Sequence, residues 1–125
     1  MDSRTKLTVV ICDEDLDHSF TMEGTLRNHD YDVVNITDAT EIISTVQHLH
    51  PSVVLVNPDM KGFNEYDVCK KIKQGLGIPV IFLLDGHSTH RAQLDECQPD
   101  DVITKPNGAN NLIMLIKKHI SLHQS

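Results

Sequence analysis

The sequence predicts an α/β fold in which helices cover both faces of a parallel sheet. Short β-branched runs alternate with segments of helical periodicity, in units of roughly 20 to 25 residues. Strands joined through a helix pair in parallel, with a right-handed crossover. Charged or amide side chains directly follow several of these strands, and sheets of this kind bind ligands at the carboxyl ends of their strands. We expect residues 1–125 to form a single domain with one core.

Five strands and five helices are predicted in alternation. The second strand is the most polar and is expected at an edge, whereas the fourth helix has few apolar residues to anchor it. D-A-T-E at 38–41 is a capping-box pattern that begins a helix. The predicted strands are 7–12, 31–36, 53–56, 79–84 and 101–104, and the predicted helices are 15–28, one bounded by 38 and 50, 65–73, 88–97 and 110–122.

The first helix is predicted to bury Leu16, Phe20, Met22 and Leu26, which recur at helical spacing. Gly24 lies among them and costs about 1 kcal/mol relative to alanine in a helix interior. We therefore expect this glycine to let the helix lie close to the sheet.

Composition narrows the classes of partner. The net charge is −7, and neither a lysine and arginine cluster nor an aromatic stacking platform is visible, which excludes nucleic acid as a direct partner and favours basic ones. Cys12, Cys69 and Cys97 are odd in number, far apart and without metal-ligand spacing, which predicts a reducing compartment, no disulfide framework and a cytoplasmic location. No apolar run reaches the length of a membrane span.

Histidines are numerous, eight in all. His119 and His123 lie one helical turn apart, a spacing that can bind zinc, but the sequence places no third ligand. We expect these histidines to lie on the surface.

Side chains of complementary chemistry follow three of the predicted strands. Asp13 and Glu14 follow the first strand, Asn57 the third and Lys105 the fifth. Two acids and a third oxygen can hold Mg²⁺, and a lysine can pair with a phosphoryl oxygen. The alternative is that the acids are solvated and Lys105 balances their charge.

Four stretches, in this order, resemble the receiver domain of two-component response regulators over about residues 7–120. They are C-D-E-D at 12–15, P-S-V-V-L-V-N-P-D-M-K-G-F-N-E at 51–65, I-P-V-I-F-L-L at 78–84 and D-D-V-I-T-K-P at 100–106. The resemblance implies a flavodoxin-like, doubly wound (βα)5 three-layer sandwich with strand order 2-1-3-4-5. It also implies a role in phosphorelay signal transduction. Asp13 and Glu14 fall on the metal-binding acids of the family, and Lys105 on its phosphate-sensing lysine.

Three positions depart from the family pattern. Asn57 stands where the family carries the aspartate that accepts phosphate, Leu84 where it carries a threonine or serine, and Val102 where it carries a switching aromatic residue. A carboxylate can attack phosphorus, but an amide nitrogen is held in resonance and its oxygen carries no full charge. The chain therefore resembles a degenerate form, a pseudo-receiver.

Two interpretations of the acidic pocket stay open. Asp13, Glu14 and the Asn57 oxygen could form a weak Mg²⁺ site, although no cofactor is required. Alternatively, Asn57 relieves the repulsion between the acids and bonds to Lys105. Asp59, two residues after Asn57, is the candidate for a residual Mg²⁺-dependent phosphoacceptor.

The functional hypothesis is a non-enzymatic signalling module that binds a protein partner independently of phosphorylation. The expected contact face combines the fourth helix, the fifth strand and the last helix, including 87–97 and 107–118, with homodimerisation through the fourth helix as a further candidate. The rival hypotheses are a small phosphohydrolase, with Asp13 as nucleophile and Asp15 as acid, and a flavin-binding domain. The sequence opposes both, because the first needs a lysine followed by an acidic pair and the second a hydroxyl-rich loop after the first strand.

Overall fold

A computed structural model describes residues 7–84, 99–104 and 109–123 of the chain. Within these residues five parallel strands form one sheet in the order β2-β1-β3-β4-β5. This order confirms the predicted flavodoxin-like topology, and β2 lies at an edge as expected. The strands are β1 (Thr8–Cys12), β2 (Asp32–Ile36), β3 (Val53–Val56), β4 (Val80–Leu84) and β5 (Asp101–Thr104).

Helices connect the strands and cover the sheet. Among those described, none combines the length and the apolar character that a membrane crossing requires. The predicted helix over 88–97 lies outside the described residues. The helices are α1 (Leu16–Asn28), α2 (Ile42–Leu49, after a 3₁₀ turn at Ala39–Glu41), α3 (Glu65–Asp67, continued by a π-helix at Val68–Gln74) and α4 (Ala109–His123).

Alternate residues of the buried strands pack into two separate clusters, one on each face of the sheet. Val9 and Ile11 pack with the side chains of α1 and α4. Val10 and Cys12 pack with those of α2 and the π-helix. Because β1 and β3 are covered on both faces, their residues are apolar almost without interruption. The result is the three-layer arrangement that was predicted.

Helix α1 buries a different face from the predicted one. Met22 and Leu26 are buried, but the third buried residue of the helix is Ser19. Leu16 is 63% exposed and Phe20 is 78% exposed. Ser19, Met22 and Leu26 follow an i, i+3, i+7 spacing, whereas Leu16 and Phe20 belong to a neighbouring stripe of the same helix. Two offset stripes cannot both face the sheet, so the prediction for Leu16 and Phe20 was wrong.

The expected role of Gly24 was also wrong. This glycine is exposed, and a methyl group added to it would meet no atom within 4 Å. At Gly75, which ends the π-helix, backbone atoms of the helix come so close that only glycine fits. A Cβ atom there would lie 2.8 Å from the carbonyl oxygen of Lys71, and the Gly75 amide donates to the Lys70 carbonyl five residues back.

Cys69 lies on the π-helix and is disulfide-bonded. The expectation that the chain forms no disulfide was therefore wrong. Cys12 is a free, buried thiol, and burial raises its pKa far above the usual range. Sequence spacing could not reveal the bond of Cys69, because the approach of two sulfur atoms depends on the fold.

Candidate functional site

The register of β1 and β3 brings Asp13 and Asn57 side by side. Cys12 and Val56, the last residues of these strands, are partners in the parallel ladder. The next backbone bond continues this pairing, since the Asn57 amide donates to the Cys12 carbonyl at 2.8 Å. The first side chain beyond each strand therefore lies at the carboxyl edge of the sheet, where loops from neighbouring strands converge.

Two hydrogen bonds fix the orientation of the Asn57 carboxamide. Its Oδ1 atom accepts from the Asp59 backbone amide at 2.8 Å, and its Nδ2 atom donates to Asp13 Oδ1 at 3.2 Å. A backbone N–H can only donate, so the oxygen of the carboxamide must face Asp59. The nitrogen is consequently the end that faces the carboxylate of Asp13.

Asp13 is the buried acid of the site, with only 1% of its surface exposed. A buried carboxylate is stable only when hydrogen bonds or charges replace its hydration. Its Oδ1 atom accepts both from Asn57 and from the Asp15 backbone amide, the latter at 3.0 Å. These two N–H groups therefore replace part of the hydration that the buried oxygen has lost.

Glu14 and Asp15 are exposed and serve local structure. The Glu14 Oε2 atom accepts from the Lys61 backbone amide at 3.3 Å, which links the loop after β1 to the loop after β3. Asp15 is the N-cap of α1, and its side chain accepts from the His18 amide at 3.2 Å. A cap of this kind satisfies one of the unpaired amides of the first helical turn.

The arrangement does not fit a Mg²⁺ ion as it stands. Magnesium binds oxygen atoms, but Asn57 presents its nitrogen to Asp13 while its oxygen is already bonded to Asp59. Within 7–84, 99–104 and 109–123 there is no group of three or more His, Cys, Asp or Glu side chains that could hold a metal ion.

The other residues singled out from the sequence lie on β4 and β5 or outside the described ranges. Leu84 ends β4, opposite Thr104 of β5, and is half-buried against the cluster on the α2 face. Val102 of β5 is 40% exposed. Lys105 lies outside the described residues, so its bond to Asn57 remains a prediction.

Sequence reasoning missed a pair that joins β5 to α4. His119 is buried, and its Nε2 atom lies 2.9 Å from Asp101 Oδ2. The prediction of a surface histidine was wrong here, although His119 immediately precedes Ile120 within the apolar face of the helix, which is a detectable signal. Burial raises the pKa of Asp101, but hydrogen bonds from His119 and the Val102 amide, with the charges of His119 and Lys118, outweigh burial and lower it.

The fold and the site define a class before any relative is considered. A doubly wound sheet of order 2-1-3-4-5, with acids after β1 and a polar side chain after β3, is a flavodoxin-like α/β domain with its candidate site at the carboxyl edge of the sheet. The sequence model of the response regulator receiver domain matches residues 9–117, and the chain belongs to this family.

Known relatives agree with this assignment. The chain is 26% identical over 113 residues to the DNA-binding response regulators MtrA of Mycolicibacterium paratuberculosis and Mycobacterium leprae, covering 90% of this chain and 50% of each relative. It thus spans about half the length of the curated relatives it matches.

Solved structures share the fold at lower identity. A receiver domain protein from Methanospirillum hungatei superposes with a TM-score of 0.78 at 19% identity, over 94% of this chain and 96% of that one. A receiver domain protein from Clostridium thermocellum gives a TM-score of 0.79 at 19% identity, over 93% and 95% of the two chains. At this identity the structures show the fold alone.

Proposed function

We propose that this receiver domain is a pseudo-receiver, which takes part in signal transduction by binding a protein partner independently of phosphorylation. The observation that supports the proposal most strongly is the orientation of Asn57, whose nitrogen faces Asp13 and whose oxygen is bonded to the Asp59 amide. Asn57 takes the position of the phosphoacceptor in this proposal. The pocket is then held closed by its own hydrogen bonds in one state.

The chemistry of the pocket supports the absence of phosphorylation. Formation of an acyl phosphate requires a carboxylate nucleophile, and the carboxamide of Asn57 is not one. Leu84, at the end of β4, offers no donor to a phosphoryl oxygen, so a dianion there would be desolvated without compensation. Both departures disfavour the same intermediate.

Magnesium binding is proposed to be weak and unnecessary for function. To offer its oxygen beside Asp13, the Asn57 carboxamide must rotate and lose its bonds to Asp59 and Asp13. Each such bond contributes about 1 kcal/mol net. A carboxamide also carries no charge whose attraction for Mg²⁺ would offset this loss. Asp13, Glu14 and Asn57 therefore form at most a weak site.

The same contacts disfavour an enzyme. A phosphohydrolase mechanism would need Asp15 as a proton donor, yet Asp15 is engaged as the N-cap of α1. Asp59 is exposed and remains the alternative acceptor that an experiment must exclude.

The proposed contact face comprises the predicted fourth helix, β5 and α4. Two of its described residues, Val102 and Met114, are apolar and exposed, at 40% and 68%. An acidic domain of this kind favours a basic partner and does not contact DNA directly, although the MtrA relatives are DNA-binding response regulators. We propose a cytoplasmic location from the family alone, because the disulfide of Cys69 removes the argument from the cysteines.

Intact-mass spectrometry after incubation with Mg²⁺ and acetyl phosphate tests the proposal. The expected result is no addition of a phosphoryl group to the wild-type protein, under conditions that phosphorylate an aspartate-containing receiver. A phosphoryl adduct that disappears in Asp59→Asn would contradict the proposal and identify Asp59 as the acceptor.

After a partner has been identified, the second test compares its affinity for the wild type and for Asn57→Ala. Partner affinity should be unchanged, because the proposed contact face does not include Asn57. A loss of binding by a folded Asn57→Ala variant would show that the state of the pocket controls the interaction.

A further inference from the structure

We propose that this chain self-associates weakly in a head-to-tail manner, through an exposed apolar pair on α1 of one copy and a lysine surface on α3 and the π-helix of the next. The apolar pair comprises Leu16 and Phe20, and the lysine surface comprises Tyr66, Lys70 and Lys71. This contact is independent of the proposed pocket chemistry and of the β5 and α4 face.

The α1 pair is an unusual surface feature. Leu16 and Phe20 lie one helical turn apart and are 63% and 78% exposed, which leaves an aromatic ring with most of its surface in water. Exposed Glu14 and Asp17 flank the pair, and no lysine or arginine occurs between residues 13 and 26. Lys61 lies beside Glu14, since its amide donates to Glu14 Oε2, so the negative charge next to the apolar pair rests on Asp17.

The lysine surface has the opposite charge and its own aromatic anchor. Lys70 and Lys71 are exposed, and the ammonium group of Lys70 lies 5.9 Å from the centre of the Tyr66 ring, which is 60% exposed. The neighbouring acids Glu65 and Asp67 are half-buried. The exposed side of this segment is thus positive, in a chain whose net charge is −7.

A second copy of the chain offers the complement that each surface lacks. Contact would bring Phe20 against Tyr66 and place Asp17 within reach of the lysines. Aromatic residues are enriched in interfaces, and opposite charges favour the encounter and fix the orientation of the two copies. α1 and the π-helix lie on opposite faces of the sheet. One molecule can therefore use both surfaces at once.

The contact is heterologous, since different patches meet, and it can extend to a third copy. Because few side chains take part, we expect a weak, transient interface with a dissociation constant on the order of 0.1 to 1 mM. An association this weak is detectable only at high protein concentration.

Sedimentation velocity over a concentration series up to about 1 mM, where an interface of this strength is populated, tests the proposal. The wild-type sedimentation coefficient should rise with concentration. Lys70→Glu/Lys71→Glu should remove the rise, with at least about tenfold weaker association. The control is Gln47→Glu/His48→Glu, which adds two negative charges at exposed positions of α2, outside both surfaces and outside the β5 and α4 face, and should associate like the wild type.

Mixing two deficient variants distinguishes this geometry from a symmetric dimer. Phe20→Gln should also be monomeric, and its stability should be unaffected because the ring is exposed. A mixture of Phe20→Gln with Lys70→Glu/Lys71→Glu should form a one-to-one complex, since each variant retains the surface that the other lacks. A monomeric wild type at about 1 mM, a mixture that stays monomeric, or equal loss in the α2 control would overturn the proposal.

Discussion

Replacing Asn57 by aspartate reverses the interaction that closes the pocket. In the wild-type protein Asn57 donates to Asp13 Oδ1 at 3.2 Å. Asn57→Asp removes this hydrogen bond and places a second carboxylate oxygen at the same distance from a buried carboxylate. The expected result is a folded but less stable protein when no cation is present.

The magnitude follows from the distance and the surroundings. Two unit charges 3.2 Å apart repel by about 5 kcal/mol at an effective dielectric constant of ~20 and by about 1 kcal/mol in bulk water. Because Asp13 is buried and position 57 is half-buried, we expect an intermediate loss of about 2–4 kcal/mol in the free energy of unfolding. Like charges also raise the pKa of one carboxyl, so the penalty should shrink as the pH falls through that raised pKa.

Urea denaturation at pH 7, with EDTA or with Mg²⁺, measures the effect. Magnesium should restore part of the stability of Asn57→Asp, because the variant has a charged ligand beside Asp13, and should leave the wild type unchanged. Asn35→Asp is a matched control, since Asn35 also donates to a carboxylate, Glu23, but at an exposed position; it should cost less than about 1 kcal/mol. Equal stability of Asn57→Asp and the wild type in EDTA would refute the reasoning.

The further predictions concern the stability of three variants and the deamidation of Asn57. Gly24→Ala should stabilise the protein by about 1 kcal/mol in urea denaturation, because the site is helical, exposed and open. Gly75→Ala should destabilise it, and equal melting temperatures for the two variants would contradict the stated contacts. The interactions that lower the pKa of Asp101 stabilise the folded protein at pH values above the unfolded-state pKa, and this stabilisation is lost as the pH falls through the folded-state pKa. Asp101→Asn, which weakens the bond to His119, should therefore be less stable than the wild type at pH 7, and the difference should narrow in strong acid. Asn57 should not deamidate at pH 8 as judged by peptide mass, because the following residue is proline and lacks the backbone N–H that cyclisation requires; appearance of aspartate at position 57 would count against a permanently inert pocket.

The sequence predicted the strands well for a physical reason. Strands covered on both faces are nearly uninterrupted apolar runs, as in Val53–Val56, and such runs are visible without tertiary information. The order of the strands was not available from periodicity, because every doubly wound order uses the same alternation of elements. It came from the family resemblance alone.

Helix faces were harder to predict than helix positions. α1 carries two offset apolar stripes, and only packing against the sheet decides that Met22 and Leu26 are buried while Phe20 is exposed. The same dependence on tertiary packing explains why a histidine on the last helix was assigned to the surface, although His119 is buried against Asp101.

At the site, the positions of Asp13 and Asn57 follow from the ends of two adjacent strands, but the direction of the carboxamide does not. That direction depends on the backbone amide of Asp59, which the loop after β3 turns towards Asn57 Oδ1. The sequence could name the side chains, whereas the loop geometry decides whether oxygen or nitrogen faces the acid.

The most direct test of the central claim is an amide NMR titration of the wild-type protein, first with Mg²⁺ and then with beryllofluoride, which mimics a phosphoryl group on an acceptor carboxylate. If Asn57 holds the pocket closed, physiological Mg²⁺ should leave the amides of Asp13, Glu14 and Asn57 nearly unshifted, and beryllofluoride should have no further effect. A saturating beryllofluoride response that spreads from the pocket to Val102 would show that another carboxylate accepts phosphate and would contradict the proposal of a pseudo-receiver.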